Sequence, residues 1–166
     1  MRGFGASDPD ARRARALVAP RGERATTYAV TVTGELVVTT SEALHVGELR
    51  LPWDRIAKAT WDDDEVALTV VGSPAPGEPS RTVVLPFEAP GRLVEMVRLQ
   101  VTSNIVVSQR IDSATFGGAW ITARRVPGGD EVRWAVVFDP GRDPRDPALR
   151  AWADAHVAAL KASTGV

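Results

Sequence analysis

The chain contains no cysteine among its 166 residues. Disulfide bonds, thiolate metal sites and cysteine nucleophiles are therefore excluded, and this composition fits a reducing compartment. Histidine is scarce as well, because His45 and His156 are the only two and they do not have metal-ligand spacing. The sequence also lacks a G-x-S-x-G nucleophile elbow and a phosphate-binding G-x-x-x-x-G-K-[ST] loop. We therefore expect no catalytic site, no metal site and no cofactor.

An excess of one charge and a long apolar run are also missing. Lys and Arg number 20 against 21 Asp and Glu, so no overall charge attracts nucleic acid or an anionic membrane. No apolar run reaches the ~18 residues of a transmembrane segment, and the N-terminus lacks the apolar centre of a secretion signal. With 44% apolar and 25% charged residues, the chain is typical of a globular protein, and we expect it in the cytoplasm.

Several short runs within residues 24–87 alternate polar and apolar side chains with a period of two, as half-buried β-strands do. Gly34-Glu35 predicts a tight turn, and therefore a hairpin, between the first two strands. The acidic run Asp62–Glu65 predicts another hairpin turn, because adjacent carboxylates repel one another within a strand. Six strands are predicted before the first long helix, in the ranges 24–33, 36–40, 44–46, 53–61, 66–70 and 81–87.

Capping residues and helical periodicity predict helices over 9–18, 92–102 and 147–161, after a loose tail at 1–7. Asp8-Pro9 and Asp146-Pro147 each combine an N-cap acceptor with proline at the first helical position. The first helix has three arginines and little apolar surface, which predicts a solvated or frayed helix or, alternatively, a basic arm for a partner. His156 lies in an apolar helical stripe and is expected to pack, whereas His45 is expected to face solvent or the second face of its sheet.

The C-terminal region returns to strands, predicted over 105–111, 119–126 and 131–138. Pro127-Gly128-Gly129-Asp130 predicts a hairpin turn between the last two. An even-numbered turn places Arg124 opposite Arg133 on the face that also carries Trp120. Opposed arginines need an acid or anion between them, and Glu131 or a carboxylate of the last helix is the expected partner. The alternative is a binding site in which both arginines contact an anionic ligand or acidic protein surface and Trp120 is the apolar anchor.

Two segments, VVTTSEALHV at 37–46 and LPWDRIAKATW at 51–61, resemble bacterial pleckstrin-homology-like (PH-like, GRAM-like) domains. In those domains a strand ending in Thr leads to a short strand, and a polar loop then enters a strand with the pattern P-x-x-x-I. Nearly the whole chain resembles a family of small uncharacterised actinobacterial proteins. The residues that carry this second resemblance are Gly22-Glu23-Arg24, Thr39–Leu44, Leu51–Trp61, Pro90-Gly91-Arg92-Leu93 and Ala123-Arg124-Arg125.

The PH-like resemblance covers residues 22–103 and implies seven strands in two nearly orthogonal sheets, capped by a helix. We therefore predict an α+β fold of mostly antiparallel strands, with a PH-like sheet or barrel capped by a helix. A tail and short helix at 1–21 precede this region, and strands plus a C-terminal helix at 104–166 are expected to pack on it as one compact unit.

The resemblance to PH-like domains carries a further expectation about ligands. Phosphoinositide-binding members place cations around the first hairpin, but the tip here is Thr33-Gly34-Glu35, so phosphoinositide is disfavoured. The actinobacterial family implies no activity. We expect a non-catalytic module that binds an unknown protein partner or associates with itself. The alternative is a small-molecule-binding protein with a pocket between sheet and helix, lined by Trp53, Trp61 and the helix from Arg92.

Clustered carboxylates are the remaining groups that could perform chemistry or hold a divalent cation. Asp62–Glu65 matches no calcium-binding loop and has no nearby histidine. Asp139, Asp143 and Asp146 lie in a connector, where aspartate commonly caps turns. The sequence therefore does not favour an enzyme.

Overall fold

The computed structural model describes residues 8–75 and 78–166, so the predicted loose tail at residues 1–7 lies outside the described part. The helices are α1 (Pro9–Val18), α2 (Leu93–Ser103) and α3 (Pro147–Thr164). The strands are β1 (Thr27–Val30), β2 (Leu36–Thr39), β3 (Ala43–Val46), β4 (Leu49–Pro52), β5 (Ile56–Asp62), β6 (Ala67–Gly72), β7 (Thr82–Pro86), β8 (Ile105–Ser113), β9 (Gly117–Arg125) and β10 (Val132–Phe138).

The strands form three antiparallel sheets, which confirms the predicted α+β class and its C-terminal hairpin and helix. The first sheet has the order β1-β2-β3-β4, the second β5-β6-β7 and the third β10-β9-β8. A bridge between Thr31 and Phe87 joins the first two sheets, and the Val32 N–H donates to the Pro86 carbonyl at 3.0 Å. None of the sheets in the described residues closes into a barrel.

Seven strands precede α2, one more than the six predicted. The additional strand is β4, which follows Gly47-Glu48 and pairs with β3 along its whole length. Gly47 does end β3, as predicted, but with a φ of 54° it turns the chain back into a further strand. The sequence did not indicate this strand, because a single Leu-Arg-Leu alternation is too short to show a period of two.

The core of residues 22–103 lies between these two sheets and α2. Leu93, Val97 and Val101 form the buried face of α2 and pack against Trp53 and strand residues. Trp53 is 1% exposed, and its Nε1–H donates to the Thr40 carbonyl at 3.0 Å. An indole packed in this way is a core residue.

Helix α1 covers the outer face of the first sheet, so the prediction of a solvated or frayed helix was wrong. Ala14 and Val18 pack with Leu36 and Val38 in a second apolar cluster. Every residue of β2 is buried because this strand has the main core on one face and α1 on the other. The predicted N-cap is confirmed, since the Asp8 carboxylate accepts the Asp10 N–H at 2.9 Å.

His45 faces the second face of its sheet, one of its two expected positions, but it is fully buried there. Its Nε2–H donates to Glu23 at 3.0 Å. The Glu23 carboxylate also accepts the Thr40 hydroxyl at 2.5 Å and Arg50 Nε–H at 2.7 Å. These four side chains form a buried polar cluster that holds the segment before β1 against β3 and β4.

The third sheet has its own apolar cluster, which α3 completes. Ile111, Ala119 and Ile121 are buried against Trp152 and Leu160 of the helix. His156 packs here as expected, with its ring 5.3 Å from that of Trp152 and its Nδ1 2.9 Å from the Trp152 carbonyl oxygen. The Asp146 carboxylate accepts the Ala148 N–H at 2.9 Å, which confirms the predicted cap of α3.

Candidate functional site

A groove of about 650 Å³ lies beside β10, and we call it the β10 groove. One wall consists of β10 and the neighbouring face of α3. The opposite wall consists of Lys58 together with β6 and the segment after it. Trp120, Trp134, Val136 and Phe138 line the first wall, and Val71, Pro74 and Pro79 line the second. The groove is therefore mostly apolar, as ligand-binding sites commonly are.

Strand β10 borders this groove because it is an edge strand of the third sheet. It pairs with β9 through the hairpin at 126–131 and ends at the connector 139–146, which contains Pro140 and Pro144. Proline has no N–H to donate, so the connector cannot continue the ladder. Helix α3 then returns across one face of the sheet and leaves the edge of β10 open.

The end of β10 is held in place by a pair between Arg110 of β8 and Asp139. Arg110 Nη1 and Nη2 donate to the two Asp139 carboxylate oxygens at 2.6 and 2.7 Å. The Gly118 N–H adds a third hydrogen bond to Asp139, at 3.0 Å. The hydrogen bonds that Arg110 donates to Asp139 lower the pKa of this carboxylate and raise the pKa of the guanidinium. This bidentate contact fixes the position where the groove begins.

Gly118 is required for that contact. A Cβ atom at this position would lie 1.8 Å from Arg110 Nη2 and 2.6 Å from Asp112 Oδ1. The guanidinium therefore crosses directly over the glycine to reach Asp139. Any side chain here would displace Arg110 from its carboxylate.

The groove also carries charges that have no ion pair within the described part of the chain. Lys58, Arg142 and Arg150 line it, and none of them forms a salt bridge with a described residue. Of the three carboxylates in the lining, Asp139 is bound to Arg110, whereas Glu78 and Asp154 have no salt bridge among the described residues. The lining is therefore formally balanced, and beside the Arg110–Asp139 pair it holds three cations and two carboxylates that form no salt bridge with a described residue.

The sequence predicted Trp120, Arg124 and Arg133 as binding residues, and the structure brings all three to one face of the hairpin. Arg124 and Arg133 are directly opposed, as the even-numbered turn predicts. Arg124 is only 2% exposed. It donates to the Val101 and Ala57 carbonyls at 2.6 and 2.8 Å and to Asn104 at 2.7 Å.

The partners of the two arginines are not the expected Glu131 or helix carboxylate but residues that precede the hairpin in the chain. Arg133 Nε lies 3.0 Å from Asp54 Oδ2 in an ion pair whose geometry is not that of a hydrogen bond. Both arginines therefore join residues 104–166 to the first two sheets. Trp120 is separated from this contact, because it is 47% exposed and lines the β10 groove. Binding of a ligand by the three residues together stays a prediction.

The groove also contains Trp134, Val136 and Phe138, which the sequence did not indicate as binding residues. The sequence interpretation assigned them to the apolar face of the hairpin, and they do pack against α3. Each is nevertheless partly exposed at the sheet edge. A long apolar strand followed by a proline-rich connector was the available signal, but it does not show what lies beside the strand.

Comparison with known proteins returns no family model, no curated protein and no solved structure that matches this chain. The resemblance to PH-like domains therefore stays a prediction that rests on the residues quoted above. Among the described residues, no helix is long and apolar enough to cross a membrane. Within the same residues, no three His, Asp or Glu side chains converge as a metal-ligand set.

Proposed function

We propose that this protein is a non-catalytic interaction module and that the β10 groove is its binding surface. The observation that carries this proposal is an apolar groove along an open strand edge, with an exposed tryptophan at its margin. Large exposed apolar surfaces and tryptophans are characteristic of protein-interaction sites. The absence of cysteine supports a cytoplasmic setting for the complex.

The arrangement of residues 22–103 supports the PH-like part of this proposal. Sheets of four and three strands are followed by α2, which covers the core between them. Two of the segments that resemble the actinobacterial family meet in space, because Glu23 accepts a hydrogen bond from Thr40. The first hairpin still presents Thr33-Gly34-Glu35, which offers no cation to a phosphoinositide.

Affinity capture with matched variants tests the proposal. Trp120→Ala removes an exposed side chain from the groove, so we expect it to weaken capture of the partner protein at least tenfold. Leu99→Ala is the control, since Leu99 is 59% exposed on α2 and does not line the groove. The bound partner is quantified by mass spectrometry, and circular dichroism verifies that both variants are folded. Equal capture by the two variants would show that the groove is not the binding surface.

A small-molecule site is the second candidate, and the groove volume supports it. About 650 Å³ lies within the range of pockets for drug-sized ligands, and three aromatic side chains line the wall at β10. The pocket expected around Trp53 and Trp61 is a different place, since neither lines this groove. A thermal-shift screen of metabolites separates the two candidates, because a small ligand would raise Tm without a partner protein.

A further inference from the structure

The edge of β10 offers backbone groups of alternate residues to the groove. The Asp139 N–H donates to the Gly118 carbonyl, and the Val126 N–H donates to the Glu131 carbonyl. In an antiparallel pair such hydrogen-bonded positions recur at every second residue, so the odd-numbered residues of β10 bond to β9. The N–H and C=O groups of Trp134, Val136 and Phe138 therefore point away from β9.

These outward groups have no hydrogen-bond partner within residues 8–75 and 78–166. The strand itself also lacks several of the features that usually protect an edge. It is seven residues long, contains no proline and has a single charged residue, Arg133, which is occupied by Asp54. An unprotected apolar edge of this kind is a template for another strand.

The second wall of the groove limits which kind of strand can pair with β10. Val71, Pro74 and Pro79 face the edge of β10 from across the groove. Because the edge of β10 lies inside a groove with a second wall, a single extended segment can reach its backbone groups, whereas the edge of another folded sheet would first have to enter the groove. A peptide strand of a partner protein fits this shape better than a second copy of the chain.

The charged side chains in the groove indicate which charge the bound segment should carry. Lys58, Arg142 and Arg150 outnumber the two unbridged carboxylates, Glu78 and Asp154, by one. Arg142 and Arg150 belong to the connector and to α3, which follow the C-terminal end of β10. A carboxylate on the bound segment, near that end, could pair with Arg142 and Arg150, which form no salt bridge with a described residue.

Building on the proposed function, we propose that the β10 groove binds an extended segment of a partner protein by strand addition to β10. The segment forms backbone hydrogen bonds with Trp134, Val136 and Phe138. Its alternate side chains are apolar and pack on Trp120 and the second wall. One Asp or Glu of the segment lies beside Arg142 and Arg150.

A displayed library of random eight-residue peptides, selected on the purified full chain, supplies the probe. We expect the selected peptides to alternate apolar and polar residues and to contain one acidic residue. The best peptide is then N-methylated at one backbone position at a time. Methylation of every second residue should weaken binding about tenfold, while the intervening positions tolerate it, because only alternate N–H groups face β10.

Charge variants test the position of the carboxylate. Arg150→Glu should weaken the best peptide about three- to tenfold, and an Asp-to-Lys exchange in the peptide should restore binding to this variant. Arg98→Glu is the matched control, because Arg98 is exposed on α2 and does not line the groove. Isothermal titration calorimetry at low salt measures the wild type and Arg150→Glu with both peptides, and the control variant in the same way.

Three results would overturn strand addition. A methylation scan without alternation would show that the backbone of the peptide is not paired. Failure to select any peptide would show that the edge does not accept a strand. Sedimentation of the wild type as a dimer that Trp120→Ala dissociates would assign the groove to a second copy. The proposed function has its own test. It stands in each case if Trp120→Ala weakens capture of a partner and Leu99→Ala does not.

Discussion

Glu23 shows how a single buried charge is stabilised in this molecule. Burial opposes its ionisation, but hydrogen bonds from Thr40, His45 and Arg50, together with the charge of Arg50, outweigh that effect. The pKa of Glu23 is therefore lowered from 4.5 to about 2. A carboxylate with a lowered folded-state pKa stabilises the protein above its unfolded pKa and loses this contribution as the pH falls.

The free energy of unfolding is accordingly expected to decrease between about pH 5 and pH 2, by an amount on the order of 3 kcal/mol from Glu23 alone. Glu23→Gln should lower stability at pH 7 and flatten this part of the pH profile, because the amide does not titrate. Urea denaturation at several pH values measures both effects.

Glu48→Gln is the matched control, since Glu48 is exposed on the turn between β3 and β4. This variant should keep the pH profile of the wild type. If Glu23→Gln also keeps it, the acid sensitivity arises elsewhere and the Glu23 cluster is not its source.

At the scale of an element, α1 shows that alanine can provide a packing face. The helix has little conventional apolar surface, yet Ala11 and Ala14 are completely buried and Val18 is 1% exposed. The Tyr28 hydroxyl donates to Asp8 and so ties the start of the helix to β1. Small side chains allow the helix to approach the sheet closely, which explains why hydropathy did not predict its burial.

Ala14→Arg is expected to lower the free energy of unfolding by more than about 2 kcal/mol, because it forces a large charged side chain into the contact between α1 and β2. Ala16→Arg provides the control, since Ala16 is exposed on the same helix and arginine is a good helix former. Thermal unfolding followed by circular dichroism compares the two. Equal Tm values would mean that α1 does not pack on the sheet in solution.

At the scale of the whole molecule, polar contacts connect residues 104–166 to the first two sheets. Arg124 is central to them, because it reaches carbonyl groups at the end of α2 and in β5 from its position on β9. Burial lowers the pKa of this guanidinium, an effect that the charge of Asp54 opposes. The position of the β10 groove depends on this connection, since its two walls belong to the two parts of the chain.

Arg124→Met should destabilise the protein by roughly 2–4 kcal/mol, because the substitution keeps side-chain volume but leaves buried acceptors without donors. Arg125→Met, at the exposed neighbouring position, should change stability by less than about 0.5 kcal/mol. Urea denaturation followed by tryptophan fluorescence measures both. Similar stabilities for the two variants would show that Arg124 does not join the two parts.

Local patterns in the sequence were sufficient to predict most of the helices, strands and turns. The two Asp-Pro caps, the acidic turn and the Pro-Gly-Gly-Asp hairpin are interactions between residues close in the chain, and the structure contains all of them. The register of β9 and β10 could also be predicted, since the even-numbered turn placed Arg124 opposite Arg133. The partners of those arginines could not be predicted, because Ala57 lies 67 residues before Arg124 and Asp54 lies 79 before Arg133, and nothing local indicates their approach.

The sequence by itself determined the α+β class, the antiparallel hairpins and the lack of thiol chemistry, because composition and short-range periodicity decide these properties. The tertiary structure alone decided that His45 and Arg124 are buried, that α1 is packed and that β10 is an open edge beside a groove. Each of these depends on which distant segments meet. The candidate binding surface exists because two parts of the chain, each with its own core, are held side by side.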